Sequence, residues 1–227
     1  MTLAVAAGKG GVGKSTVAYN LGAELGAVVV DADLGMADLP VGRGPDLHDV
    51  LAGRADVLEA VDEGGPVALL PCGRSLAGAR AADVTALSGV LDTVRRHYGA
   101  VVVDCPAGLG GDAGMALLAA EACLLVTRPT EPALAGAVRS RELARVLETP
   151  LARVVLNRAG DAATRPVADA LGAPVTAVPE SDALARAQRA GQPVGVVAPD
   201  SQAADRFRTL AASVEPVLGR QSSHNSV

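Results

Sequence analysis

Gly8-Lys9-Gly10-Gly11-Val12-Gly13-Lys14-Ser15-Thr16 is the stretch that decides how this chain is read. It contains Gly8-x-x-x-x-Gly13-Lys14-Ser15, the spacing of a phosphate-binding loop. An apolar run at residues 3–6 precedes it and a helical pattern opens near Lys14, the strand–loop–helix context such a loop requires. Gly8, Gly10, Gly11 and Gly13 permit positive φ and let backbone N–H groups converge on phosphate oxygens. The helix start adds the positive end of its dipole beneath them. On this reading Lys14 reaches the β- and γ-phosphates and Ser15 gives its hydroxyl to Mg²⁺. Thr16, one residue further in, bonds an α-phosphate oxygen, and Val12 supplies loop backbone.

Lys9 and Lys14 are the only lysines in 227 residues; the other basic residues are all arginine. A compact ammonium on a flexible stem serves at a triphosphate where a planar guanidinium fork does not. The pattern above leaves position 9 free, so Lys9 is either a solvated loop lysine or a second cation for the nucleotide.

Downstream the chain alternates short β-branched runs with longer helical stretches. Strands are predicted at 3–6, 28–31, 67–70, 101–104, 123–127, 154–156 and 175–178, with helices opening near Lys14, Asp83, Asp112, Pro132, Thr164, Ser181 and Ser201. Residues 41–63, rich in Gly, Asp and Arg, are expected to carry one or two short helices. The alternation predicts an α/β fold, a mostly parallel twisted sheet of about seven strands with helices on both faces. We expect one P-loop domain over residues 1–218 and a polar, frayed tail at 219–227.

Two predicted strands end in acids: Val28-Val29-Val30-Asp31-Ala32-Asp33 and Val101-Val102-Val103-Asp104. Strand ends of a parallel sheet gather at its carboxyl edge, where ligands bind. Acids there either cap loops or hold Mg²⁺ through its waters, the coordination that this ion favours. A third strand ends in Asn157-Arg158, and the Asn157 amide can both donate to and accept from an adenine edge.

Bulk properties narrow the class. Apolar residues make up 49% and aromatics 1%, so the core is built from Val, Leu and Ala. A net charge of -5 argues against a generally basic nucleic-acid surface. No apolar run approaches the roughly 18 residues that span a bilayer, and the start lacks the charged segment of a signal peptide. Cys72, Cys105 and Cys123 are scattered in apolar segments and read as buried free thiols of a cytoplasmic protein.

Lys9-Gly10-Gly11-x-Gly13-Lys14-Ser15 resembles the deviant P-loop of the MinD/ParA family of ATPases, and the similarity runs from residue 2 to about 195. The resemblance implies an ATP-dependent homodimer with two ATP molecules sandwiched between subunits, Lys9 crossing to the partner's nucleotide. Residues 31–39 are similar to that family's first switch segment. This implies that Asp33 orients the attacking water, that Asp31 stands near the metal's water shell, and that Gly35 belongs to the switch. Asp104 matches the Walker B aspartate and Gly108 the glycine that senses the γ-phosphate. Asn157 would read adenine, with Arg158 over the ring or in solvent. Residues 178–182, followed by Gly191-Gln192-Pro193-Val194, are similar to that family's second nucleotide-side loop. The backbone at Pro179 and Glu180 would touch the base, although a helix cap by Ser181 or Asp182 explains the same letters.

Asp33-Leu34-Gly35 lacks the Pro-Gln-Gly that usually follows in the ParA branch, so the resemblance is closer to MinD and implies a positioning switch with a protein activator or cargo. Two alternatives stay open. One is ParA-like DNA binding, for which Arg139, Arg141 and Arg145 are candidates. The other is a metal-centre assembly ATPase, which needs suitably placed cysteines. Phe207, Leu210, Ala211, Val214 and Leu218 share one helical face, read as packing on the domain, with peripheral membrane contact as the lesser reading.

Overall fold

The computed structural model describes residues 1–35, 39, 44–73 and 75–219, with the backbone alone for 217–219. Seven strands form one parallel sheet: β1 Thr2–Ala7, β2 Val28–Asp31, β3 Leu69–Leu70, β4 Val101–Ala107, β5 Ala122–Thr127, β6 Leu151–Asn157 and β7 Val175–Val178. Their order is β3-β2-β4-β1-β5-β6-β7. The strands are Val- and Leu-rich because side chains on both faces are buried. Alternation assigns them: Leu3, Val5 and Val29 enter one core, whereas Ala4, Ala6, Val28 and Val30 enter the other.

Helices α1 Lys14–Leu25, α8 Asp182–Arg189, α9 Val194–Val197 and α10 Gln202–Gly219 contribute to the first core. The second takes α2 Leu47–Leu51, α4 Leu87–Tyr98, α5 Gly111–Leu118, α6 Glu131–Val146 and α7 Thr164–Leu171. A short helix, α3 Leu76–Ala81, lies between β3 and α4. β1 sits centrally between β4 and β5, so the chain order reverses there. The crevice beyond the carboxyl ends at that reversal is where a doubly wound sheet binds ligands.

All seven expected strands form. The helix expected near Asp83 begins as a 3₁₀ turn that Asp83 caps, and becomes α4 only at Leu87. Helix α3 was not expected, its Gly78 and short length leaving no periodic stripe to read. Phe207, Leu210 and Val214 are fully buried and Ala211 nearly so, so that stripe of α10 is committed to the core; the Leu218 side chain lies outside the described residues. Gly219 closes α10, and the rest of the expected polar tail, 220–227, also lies outside them. Among the described residues no helix is long and apolar enough to cross a membrane.

Candidate nucleotide site

Gly13 immediately precedes α1 with φ 98°, and Gly11 has φ 75°, left-handed values that glycine alone adopts at little cost. No side chain caps the helix, so its first-turn N–H groups remain available to a ligand. Two glycines are fixed by contact as well. A Cβ on Gly8 would lie 2.0 Å from the Gly136 carbonyl oxygen of α6, and a Cβ on Gly13 would lie 2.2 Å from the Asn157 Nδ2. The loop is thus wedged between the α6 backbone and the end of β6.

A cleft of about 720 Å³ opens over this loop. Lys9, Gly10, Gly11, Gly13, Lys14, Ser15 and Thr16 line one side. Asp33 and Gly35 line it from the end of β2, Asn157 and Arg158 from β6, and Glu180 from the β7–α8 loop. Val12 turns its side chain into the core and offers its carbonyl to Asn157. Pro179 does not line the cleft, and Ser181 caps α8 by accepting from Leu184 N at 3.3 Å. The cap therefore accounts for the Ser181 letter, and only Glu180 of the expected pair faces the cleft.

Lys14 Nζ donates to Asp104 Oδ1 at 2.6 Å, both groups buried. Burial opposes the ammonium charge, but the Asp104 carboxylate outweighs it and holds the lysine pKa above its ordinary value. Asp31 and Asp104 face each other in register on neighbouring strands. Each leaves a buried Oδ2 with no hydrogen-bond partner. Burial, then repulsion from Asp104, pushes the Asp31 carboxyl up to about 7.

Two orphaned carboxylate oxygens beside a hydroxyl-bearing Ser15 fit a hydrated divalent cation. Among the described residues no cluster of three His, Cys, Asp or Glu side chains could hold a metal directly. The residues therefore suit Mg²⁺ bound by Ser15 and phosphate oxygens, with Asp31 and Asp104 reached through its waters.

Because the Asp31 pKa is raised in the fold, the protonated form is favoured there. Stability is lost as pH climbs from the unfolded value of 3.8 to about 7, and the loss is complete above that. At roughly 1.4 kcal/mol per unit, the cost at pH 8 is about 4 kcal/mol at most. Asp31→Asn is expected to raise the melting temperature of nucleotide-free, EDTA-treated protein at pH 8 and to change it little at pH 4. Equal shifts at both pH values would refute the assignment.

Asn157 stands on the cleft wall and also has a structural duty that the sequence did not reveal. Its Nδ2 donates to Val12 O at 2.8 Å and its Oδ1 accepts from Arg158 N at 3.0 Å. It braces the phosphate loop, which leaves one amide hydrogen and one oxygen lone pair for a base. Arg158 is exposed with φ 54°, a left-handed backbone uncommon for arginine. Gly108, with φ 99°, donates its N–H to Ala7 O at 3.0 Å and so ties the end of β4 to the end of β1.

The resemblance points to residues 191–194 as part of a nucleotide-side loop, but sequence reasoning missed the two side chains that hold this far wall. Tyr19 hydroxyl donates to Gly191 O at 2.9 Å, and Asn20 Oδ1 accepts from Val194 N at 2.7 Å. These bonds hold the 188–192 segment against α1, where Gln188, Gly191 and Gln192 complete the cleft. The signal was present, since Tyr19 and Asn20 fall one helical turn after Thr16.

The cluster of a glycine-bent loop, a lysine–aspartate pair and two orphaned carboxylate oxygens is matched by similarity. Residues 3–194 match the model of the CobQ/CobB/MinD/ParA nucleotide-binding domain. The chain belongs to this family. It is 32% identical over 230 residues to an ATP-binding protein of Methanocaldococcus jannaschii, spanning 94% of this chain and 87% of the relative. The septum site-determining protein MinD of Pyrococcus horikoshii, solved with Mg-ADP, superposes with a TM-score of 0.88 at 30% identity, covering 98% of this chain and 100% of that one. The cell division ATPase MinD of Pyrococcus furiosus gives 0.87 at 31%, covering 95% and 98%. This MinD/ParA-type chain is accordingly an ATPase, closer to the MinD branch, with ATP or ADP and Mg²⁺ as cofactors.

Proposed function

We propose that this ATPase is a nucleotide switch: two copies close face to face over two ATP molecules, and hydrolysis separates them. The observation that carries the reading is the contrast between the two lysines. Lys14 is buried and paired with Asp104, whereas Lys9 is exposed at the cleft mouth and forms no ion pair with any described residue. An ammonium so placed gains most by meeting a partner's triphosphate, because the charge of each nucleotide is then met from both subunits. Association is thereby coupled to the γ-phosphate.

Within each site Lys14 leaves Asp104 for the β- and γ-phosphates, the α1 N–H groups hold the same oxygens, and Ser15 and Thr16 contact the metal and the α-phosphate. Mg²⁺, which Ser15 and, through waters, Asp31 and Asp104 would hold, would supply charge neutralisation to the phosphates. Asp33 orients the attacking water, and Gly35 and Gly108 register the γ-phosphate. Asn157, Arg158 and Glu180 border the base. Residues 1–218 act as the switching unit, slow alone and accelerated by a protein activator.

The role we infer is intracellular positioning, in the cytoplasm, as the MinD relatives' description as septum site-determining proteins suggests. DNA binding is less favoured, since the Arg141 guanidinium donates to Leu171 O and Arg145 donates to Glu142 at 2.9 Å. Metal-centre assembly is less favoured too, because Cys72, Cys105 and Cys123 are all buried free thiols rather than cysteines presented at the surface.

Lys9→Ala tests the proposal. It is expected to keep ATP affinity within about threefold, as a solvent-facing ion pair is worth little. It should also abolish the ATP-dependent dimer in size-exclusion chromatography with light scattering. A variant that dimerises like the parent refutes the sandwich.

A further inference from the structure

The segment that carries Asp33 is held from behind by two side chains with no part in the site described above. Cys72, just beyond β3, is fully buried, and its thiol lies 3.1 Å from the Asp33 carbonyl oxygen. His48 on α2 is 3% exposed, with Nε2 3.1 Å from the Leu34 carbonyl oxygen and 3.7 Å from the Cys72 sulfur. A carbonyl only accepts, so the hydrogen positions follow. Sγ–H donates to Asp33, and Nε2–H donates to Leu34 with the sulfur beside it. Burial pushes the Cys72 thiol up to about 12, which keeps that donor protonated.

Nδ1 of this tautomer has no hydrogen-bond partner. A buried imidazole with one unsatisfied nitrogen costs stability, a cost set against the two contacts that its other nitrogen makes. The fit around it is close. A Cβ on Gly73 would come 1.7 Å from Nδ1 and one on Gly78 would come 2.9 Å from it, so two glycines make room for the ring. Meanwhile the Asp33 N–H donates to Asp31 Oδ1 at 3.2 Å, and Leu34 N–H closes a three-residue turn onto Ala32 O at 3.0 Å. Every peptide group flanking the Asp33 side chain is therefore tied.

We propose that His48 and Cys72 are positioning residues for ATP hydrolysis, a pair of donors that fixes the backbone of the switch segment and so aims the Asp33 carboxylate. The proposal rests on the reading of Asp33 as the water-orienting group. The two donors bond main-chain oxygens rather than nucleotide, so they act on the chemical step and not on ATP binding. Small displacements of an orienting group cost rate steeply.

The test is the intrinsic Mg²⁺-ATP turnover of full-length variants, alongside ATP affinity measured separately. His48→Ala is expected to lower kcat about tenfold with Kd for ATP within about threefold of the parent. His48→Gln, whose amide nitrogen can stand at the Nε2 position, restores most of the rate. Cys72→Ser keeps the donor and the rate, while Cys72→Ala loses both. Unchanged kcat in His48→Ala overturns the proposal. So does a loss of kcat that follows the melting temperature and is not restored by His48→Gln.

Asp33→Ala is measured in parallel. If it turns over at the parent rate, the underlying reading of Asp33 fails. If it is inactive while His48→Ala is fully active, this inference alone fails. The double variant Asp33→Ala/His48→Ala should be no slower than Asp33→Ala, because both act through one group.

Discussion

Lys14→Ala is expected to remove measurable ATP binding, a loss of about a thousandfold or more in affinity, read by isothermal titration or a fluorescent nucleotide. The lysine is a buried ammonium whose present partner is Asp104 at 2.6 Å. Charge-assisted bonds to the β- and γ-phosphates from so buried an ammonium are worth more than the same bonds in solvent. The same substitution strands the Asp104 carboxylate, 0% exposed, without its counter-ion. Breaking a buried pair from one side costs about 3–5 kcal/mol, so lost binding could be mistaken for lost folding. Lys14→Met with Asp104→Asn separates the two. Removing both charges at similar volume should recover the melting temperature while ATP binding stays absent. Recovery of binding in that double variant would deny Lys14 its phosphate role.

Asp33→Ala has the second large effect. It should lower kcat by about a hundredfold or more, the usual range for losing a group that orients or deprotonates a nucleophile, while ATP still binds. The trapped protein should elute as a dimer in ATP and as a monomer in ADP. Repeating the measurement with anionic liposomes and with duplex DNA then separates a membrane binder from a nucleoid binder. Dependence of either interaction on salt would mark its electrostatic part. Turnover at the parent rate would remove Asp33 from the mechanism.

Much of this site was legible beforehand because it depends on local rules. Gly11 and Gly13 are required by backbone sign, Lys14 by its position after them, and Asp31 and Asp104 by the ends of two valine runs. Strand positions followed from burial on both faces. What escaped depends on contacts distant in sequence. His48 and Cys72 lie 14 and 39 residues from the carbonyls they bond. Nothing local marks a histidine inside Leu47-His48-Asp49-Val50 as a donor to a loop. Asn157 was assigned to a base from its chemistry, whereas tertiary packing spends much of its amide on Val12, 145 positions away. Pro179 was placed at the base by resemblance, but of that pair only Glu180 lines the cleft, beside Ser181. Of the segment similar to the first switch, residues 36–38 lie outside the described residues.

The hydroxyl bond between Tyr19 and the 188–192 wall has a practical corollary in spectroscopy. The chain has no tryptophan and two tyrosines, so its ultraviolet emission comes from Tyr19 and Tyr98. Tyr98 ends α4 at the amino edge of the sheet, bonded to Glu63, remote from the cleft that Tyr19 lines. A change in tyrosine emission on adding nucleotide therefore reports one residue in one wall. The occupancy of the switch can be followed without attaching a dye.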